Sequence, residues 1–364
     1  MRAPPFWWKE APTLTARLLW PIGWVYGALT ARRMNRPGAD CGPPVICIGN
    51  FVAGGAGKTP TAIAVAQALL ALGRKPVFLS RGYGSEAAAP RLVDGARHKA
   101  ADVGDEPLLL AAIGPCVVSA DKVEGALACV AAGADVIVMD DGLQNPTLTK
   151  ALRIAVVDGA VGVGNGLCVP AGPLRAPLAA QWPHVDALVV IGQGAPGAAL
   201  ALAAEALGKP VMRGLLAPEP GMAMGLAGRE VIAFAGIGRP EKFFDTLRTL
   251  GADVIETEAF PDHHAFTPRE IAGLQGRAKR RGAALVTTEK DAARLGPAAE
   301  QLLTLPVRLA LENEAGLMGL LERLRSAAPV RPAQTAQDFA TPTPYPSPQG
   351  GGERQAFRPD NSDH

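Results

Sequence analysis

The residues best suited to do chemistry begin with "GNFVAGGAGKTP", residues 49–60, which follows the apolar run "PPVICI" and precedes "TAIAVAQALLALG". Gly54, Gly55, Ala56 and Gly57 let successive backbone N–H groups turn toward one anion, and Lys58 adds a mobile cation. The Thr59 hydroxyl can ligate Mg2+, and Pro60 suits a first helical turn that needs no N–H. A helix starting here would aim its positive dipole end at the same anion. The stretch predicts a nucleoside triphosphate, ATP or GTP, as its ligand. One feature is irregular: the usual phosphate-loop pattern has glycine where this chain has Val52, and the nearest upstream glycine is Gly49.

Such a loop needs a carboxylate at the end of a neighbouring strand to hold the metal. "ADVIVMDDGLQ" supplies Asp140 and Asp141 after a buried-strand pattern. Adjacent strand residues point to opposite sides, so the residues themselves leave open which of the two meets the metal. Two further groups stand out. In "DVGDEP", Asp105 and Glu106 precede a helical stretch, where acidic residues ordinarily serve the helix N-terminus. In "FPDHHAF", His263 and His264 are adjacent, and only one of them would face a given cleft. A carboxylate partnered by such a histidine could handle a proton.

These groups need a scaffold. From residue 44, short β-branched runs such as "VICIGN", "KPVFLSR", "PCVVSADK" and "LRIAVVD" alternate with helical Ala- and Leu-rich stretches. That alternation predicts an α/β fold, a P-loop-containing parallel-sheet (α/β/α) core with crossover helices. A second series, "REVIAFAGI", "PEKFFDTLRTLGA", "DVIETEAF", "TPREIAGLQGRAKRRG", "AALVTTEK" and "LPVRLAL", predicts a smaller α/β domain. The expected organisation is residues 1–36 as an N-terminal amphipathic membrane-interface helix, 37–210 as the core, 211–328 as the second domain, and 329–364 as a disordered tail poor in aliphatic residues.

Composition narrows the partners. With 36 basic and 34 acidic residues the net charge is only +2, so no global field draws the chain to nucleic acid. The five cysteines, Cys41, Cys47, Cys116, Cys129 and Cys168, form no CxxC pair, which fits a reducing compartment and no zinc site. Four of the five tryptophans and Arg32, Arg33 and Arg36 fall in the first 36 residues. Arg17 and Pro21 interrupt that segment, so it reads as an interfacial helix rather than a span or a cleaved leader.

Together the motifs resemble one family, the tetraacyldisaccharide 4'-kinases of lipid A assembly. In order they are "GNFVAGGAGKTP", "SRGYG" at 80–84, "GDEP" at 104–107, "DDGLQ" at 140–144, "PAGPLR" at 170–175, "FAGIGRPEKFF" at 234–244, "FPDHHAF" and "TTEKDAARL" at 287–295. The resemblance implies transfer of the ATP γ-phosphoryl to the 4'-hydroxyl of an acylated glucosamine disaccharide, with Mg2+ required. The expected enzyme is a monomer at the cytoplasmic face of the inner membrane, peripheral or monotopic, with no nucleic-acid partner. The resemblance further implies Asp105 as the base, paired with His263, and Lys58 as the catalytic cation. Acceptor-binding positions fall at Arg81, Tyr83, Lys122, Gln144 and Arg175, and Asn50 is expected to face the acceptor.

Two positions depart from the family pattern: Ala176 follows Arg175 where Glu is common, and Lys122 stands where Arg is frequent. An ammonium keeps the charge but loses a two-pronged grip on an anion. The competing reading is a membrane-associated P-loop ATPase switch. Its signature lysine would have to stand where this chain has Ala53.

Overall fold

The computed structural model describes residues 3–82, 89–219, 221 and 225–326. Tyr83, and the 329–364 segment expected to be a disordered tail, lie outside the described residues. Met1–Pro329 form one unit.

A helix, α1 (Leu14–Met34), opens the chain, followed by β1 (Val45–Gly49), α2 (Lys58–Ala71), β2 (Pro76–Ser80) and β3 (Arg91–Leu92). Next come α3 (Ala100–Val103), α4 (Asp105–Ala111), β4 (Cys116–Val118), α5 (Lys122–Ala131), β5 (Val136–Asp140) and β6 (Leu152–Asp158). Helix α6 (Leu178–Gln181), β7 (Ala187–Ile191), α7 (Ala195–Ala206) and β8 (Val211–Pro218) complete this half. The second half runs β9 (Glu230–Ala235), α8 (Pro240–Thr249), β10 (Asp253–Ala259), α9 (Pro268–Arg281), β11 (Ala284–Thr288) and α10 (Glu289–Leu295). It ends with β12 (Leu303–Leu305), β13 (Val307–Leu311) and α11 (Glu314–Ser326).

The larger sheet has nine strands in the order β13-β8-β7-β6-β1-β5-β2-β4-β3. Its centre is parallel, and β1 pairs with β5 on one side and β6 on the other. Central parallel strands are covered on both faces, which is why "VICIG" and "VIVMD" are uninterrupted apolar runs with every residue buried. Alternate residues serve opposite faces: Ile46 and Ile48 join α2, while Val45 and Cys47 pack with Ala126 and Cys129 of α5. The result is the α/β/α sandwich that the alternating pattern predicts.

The smaller sheet, β10-β9-β11-β12, buries Ala233 and Ala235 against Phe243 and Phe244 of α8 on one face. On its other face Ile232 and Phe234 meet Ile271 and Leu274 of α9. The predicted boundary at 210/211 does not match this division. β8 and β13 both belong to the larger sheet, where they pair antiparallel, and Leu317 and Leu321 of α11 join the core around α2. Only the intervening segment builds the small sheet. "VMRGLLAP" lost its periodicity because β8 lies near an edge and is unevenly buried. The run "LPVRLAL" is not one strand: the chain leaves the small sheet after Leu305, passes Pro306 and re-enters the large sheet at Val307. Proline's missing N–H suits that break in the ladder.

Helix α1 runs continuously through Pro21, and its sidedness is one of size rather than polarity. Ala16, Gly23, Gly27, Thr30 and Met34 are buried. A Cβ on Gly23 would sit 2.6 Å from the Cys168 carbonyl oxygen, and one on Gly27 2.7 Å from Cys168 Sγ. The small residues therefore let the helix backbone lie directly on the 165–177 loop. Leu14, Leu18, Ile22, Trp24 and Leu29 are each at least 60% exposed on the outward side. The expected amphipathic helix is thus corrected to one with a small-residue inner stripe and a bulky apolar outer face. No described helix is long and apolar enough to cross a membrane.

Candidate active site

The phosphate loop connects β1 to α2 as the sequence predicts. Gly57 caps α2 at φ +88° and Gly54 sits at φ +125°, conformations that side chains rarely adopt. The displaced Gly49 has a packing reason. A Cβ there would lie 2.5 Å from Leu143 Cβ, so the "DDGLQ" segment can cross the end of β1 only over glycine. Asn50 is fully buried and donates from Nδ2 to the Gly54 carbonyl at 2.9 Å, closing the loop on itself. Lys58 Nζ reaches the same carbonyl at 3.3 Å and lies 3.6 Å from Asp141.

The two aspartates at the end of β5 have different environments. Asp141, in the left-handed region at φ +59°, receives both arms of Arg175 at 2.8 and 2.9 Å. Burial would raise its pKa, but Lys58 and Arg175 outweigh that and hold it below the ordinary value. Asp140 is only 1% exposed and accepts from the Thr59 hydroxyl at 3.2 Å through Oδ2. Burial first, then the nearby Glu106 charge, pushes its pKa up to about 7. Among the described residues its Oδ1 is buried with no hydrogen-bond partner. A buried carboxylate oxygen with an open lone pair beside a threonine hydroxyl is a hard-oxygen donor set, and it fits Mg2+.

Asp105 starts α4 directly after Gly104 at φ +90°. It is 6% exposed, and His263 Nδ1 approaches its Oδ2 at 3.4 Å. His263 has φ +57°; among the described residues it and Asp141 are the only non-glycine residues with positive φ. Such a conformation costs on the order of 1–2 kcal/mol, and both instances lie in the candidate site. Donating a hydrogen bond to the Asp105 carboxylate raises the His263 pKa, against a smaller effect of burial. His264 is turned elsewhere: Nε2 is 3.1 Å from Glu270, and its ring stacks on Phe260. Of the two adjacent histidines, His263 is the one in the site.

The remaining predicted positions fall into two groups. Gln144 donates from Nε2 to the Asn50 carbonyl and to Gln181 Oε1, both at 2.8 Å, and Arg175 Nε donates to the Val52 carbonyl at 3.0 Å. Asn50, Gln144 and Arg175 therefore brace the phosphate loop and Asp141. Lys122, 3% exposed, donates to the Ser119 carbonyl at 2.8 Å; burial, then Arg81, pushes its pKa down to about 8. Arg81 is exposed at the end of β2. Ala176 is fully buried, and its carbonyl accepts from Gln181 Nε2 at 2.6 Å.

Sequence reasoning missed Arg294, Lys290 and Gln181. Arg294 donates to Asp105 from Nε at 3.1 Å and Nη2 at 2.5 Å, and Lys290 reaches Glu106 at 2.6 Å. Burial would raise the Asp105 pKa, but the His263 hydrogen bond, then Arg294 and Lys290, outweigh it and hold the carboxylate well below the usual range. Removing one partner of so buried a pair costs about 3–5 kcal/mol. The signal was present in "TTEKDAARL", whose Lys290 and Arg294 lie four apart on one helical face. Gln181 gave none, because "APLAAQW" reads as an ordinary helical turn.

A parallel-sheet core, a P-loop, a strand-end carboxylate beside its threonine and a separate carboxylate–histidine pair together define a P-loop phosphotransferase of the kinase type. A sequence model of the LpxK family, tetraacyldisaccharide-1-P 4'-kinase, matches residues 15–325, and the chain belongs to that family. It is 59% identical over 332 residues to a tetraacyldisaccharide 4'-kinase from Methylobacterium sp. (strain 4-46), covering 91% of this chain and 98% of that one. A tetraacyldisaccharide 4'-kinase from Rhodopseudomonas palustris (strain BisB5) is 51% identical over 332 residues, 90% and 98% of the two chains. Among solved structures, the "apo" form of LpxK from Aquifex aeolicus in complex with ATP superposes with a TM-score of 0.68 at 27% identity. That match covers 85% of this chain and 99% of the other.

Proposed function

We propose that the chain transfers the γ-phosphoryl group of ATP to the 4'-hydroxyl of a tetraacylated glucosamine disaccharide 1-phosphate, the reaction for which its family is named. The backbone N–H groups of residues 54–59 cradle the triphosphate, and Lys58 exchanges Asp141 for β- and γ-phosphate oxygens. Thr59 and Asp140 would hold Mg2+, which neutralises charge on those oxygens when bound. Asp141, with both oxygens already engaged by Arg175, instead orients Lys58.

Asp105 is the base. As the 4'-oxygen forms its bond to the γ-phosphorus and the bond to the β–γ bridging oxygen breaks, the hydroxyl proton passes to the Asp105 carboxylate and ADP departs. Proton transfer comes late in so loose a transition state, so a weak, reliably ionised base serves. His263 stabilises the carboxylate and can take the proton onward. Lys122 and Arg81 suit anionic parts of the acceptor, and Asn50, Gln144 and Arg175 keep the loop in register with it. Because Asp105 starts α4, which packs on the large sheet, and His263 lies in the loop after β10 of the small one, their contact completes the site and helps exclude water.

The bulky apolar face of α1, with Arg32 and Arg33 in its last turn, supports docking on the cytoplasmic surface of the inner membrane, where the acceptor resides. The observation that carries the mechanism is the 3.4 Å approach of His263 to Asp105 across two sheets. Incubating the full chain with γ-labelled ATP, Mg2+ and the tetraacyldisaccharide 1-phosphate in detergent micelles should place label at the 4' position. ATP turnover that ignores the acceptor, with no labelled lipid, would favour the switch reading.

A further inference from the structure

The short helix α10 follows β11 without a linker, capped by the Thr288 hydroxyl, which accepts from the Asp291 N–H at 3.2 Å. Its Lys290 and Arg294 face the first turn of α4, and the Arg294 side chain is only 8% exposed. Every edge of that guanidinium is engaged. Nε and Nη2 hold Asp105 Oδ2, and Nη1 donates to Asp291 Oδ1 and to the Gly236 carbonyl, each at 2.7 Å. Asp291 is itself fully buried, receiving the Gly236 N–H at 3.1 Å and the Thr288 hydroxyl at 2.7 Å. Nη2 also lies 3.4 Å from His263 Nδ1.

We propose that Arg294 is a positioning residue for phosphoryl transfer: anchored by Asp291 and Gly236, it locks the Asp105 rotamer, keeps the carboxylate ionised and leaves Oδ1 as the oxygen that receives the acceptor proton. This rests on the reading of Asp105 as base. The division of labour follows from the contacts. Oδ2 takes Arg294 and the His263 approach, whereas among the described residues the hydrogen bond to Oδ1 comes from the N–H of the next residue, Glu106, at 3.0 Å. A planar two-pronged grip fixes a carboxylate's orientation in a way that a single ammonium cannot.

Among the described residues, the charged groups around Asp105 are Arg294, Lys290 and Asp291 from α10, His263 from the loop after β10 with Asp262 beside it, and Glu106 on its own helix. Of these, Arg294 makes two of the direct contacts and is permanently charged. Its removal lets the Asp105 pKa rise. The ionised, active form is then lost at higher pH, and the acid limb of the kcat profile moves upward.

The test uses full-length Arg294→Gln, Arg294→Lys, Asp105→Asn and the double variant Asp105→Asn/Arg294→Gln, each checked by thermal melting. Arg294→Gln should lose about tenfold or more in kcat with its acid limb displaced upward, while KM for ATP changes less than about threefold. Arg294→Lys should return the acid limb toward wild type without restoring the full rate. If Arg294 acts through Asp105, the double variant should be no slower than Asp105→Asn. A folded Arg294→Gln enzyme with a wild-type acid limb and rate would overturn the inference, and so would a double variant that loses the product of both single effects. Should Arg294→Gln fail to fold, Arg294→Lys decides, since wild-type kcat there would equally refute a requirement for the two-pronged grip. Near wild-type turnover in Asp105→Asn is a separate result, and it would remove the base assignment itself.

Discussion

Around Lys58, the groups placed to meet phosphate come from one continuous segment, residues 50–59, and from the neighbouring end of β5 in the same sheet. Around Asp105, the charged partners come from the other sheet: His263 from the loop after β10, Lys290 and Arg294 from α10. The first region is made largely of backbone N–H groups and glycine conformations, braced by Asn50, Gln144 and Gln181. The second is made of side-chain ion pairs bearing on one buried carboxylate. Backbone preorganisation suits a phosphate chain that stays anionic throughout while its charge shifts toward the leaving oxygen, since fixed donors need not reorganise. A cluster of ionisable side chains suits a step in which a proton changes hands, because each neighbour adjusts the affinity for that proton.

The contrast can be broken from either side. Lys58→Ala should have the largest effect, on the order of 10³-fold or more in kcat/KM for ATP, because it removes the only side-chain cation placed within the loop itself. Steady-state kinetics with varied ATP would register it in both kcat and KM. A third region, the outer face of α1, should respond independently of both. Replacing Trp20 and Trp24 by alanine, both more than half exposed, should weaken partitioning onto anionic vesicles by on the order of 100-fold in a flotation assay. Turnover of acceptor dispersed in detergent should be far less affected.

The smallest effects separate the adjacent histidines. His263→Ala should lower kcat by about 10- to 100-fold with little change in melting temperature. His264→Ala should do the reverse: it loses the stack on Phe260 and the Glu270 contact, so melting falls by a few degrees, about 1 kcal/mol, while kcat stays within about threefold. Equal losses of kcat in the two variants would mean that the loop acts as a unit rather than through one ring.

The same contrast explains what the sequence disclosed. The P-loop, the strand-end aspartates and the parallel core were legible because each is contiguous, with apolar runs whose period reports burial on both faces. The proposed base was not legible from composition or spacing: Asp105 reads as ordinary helix-terminal charge, and only resemblance to a family singled it out. Its partner Arg294 lies 189 residues away and looks like one more exposed arginine until α10 is folded against α4. The boundary at 210/211 failed for a related reason. β13 returns to the large sheet after the small one is complete, and pairing between β8 and β13 leaves no local trace in either segment. In helix α1 the outward apolar bulk was legible, but the buried stripe of Ala16, Gly23, Gly27, Thr30 and Met34 was not, because small residues carry little hydrophobic signal.

The most direct test of a phosphate side and a proton side built separately is Asp105→Ala, with ATP affinity and single-turnover transfer to the lipid acceptor measured on the same preparation. ATP affinity should stay within about threefold of wild type while transfer slows by about 10²–10⁴-fold. Transfer within about fivefold of wild type, or loss of ATP binding in parallel with transfer, would contradict this prediction.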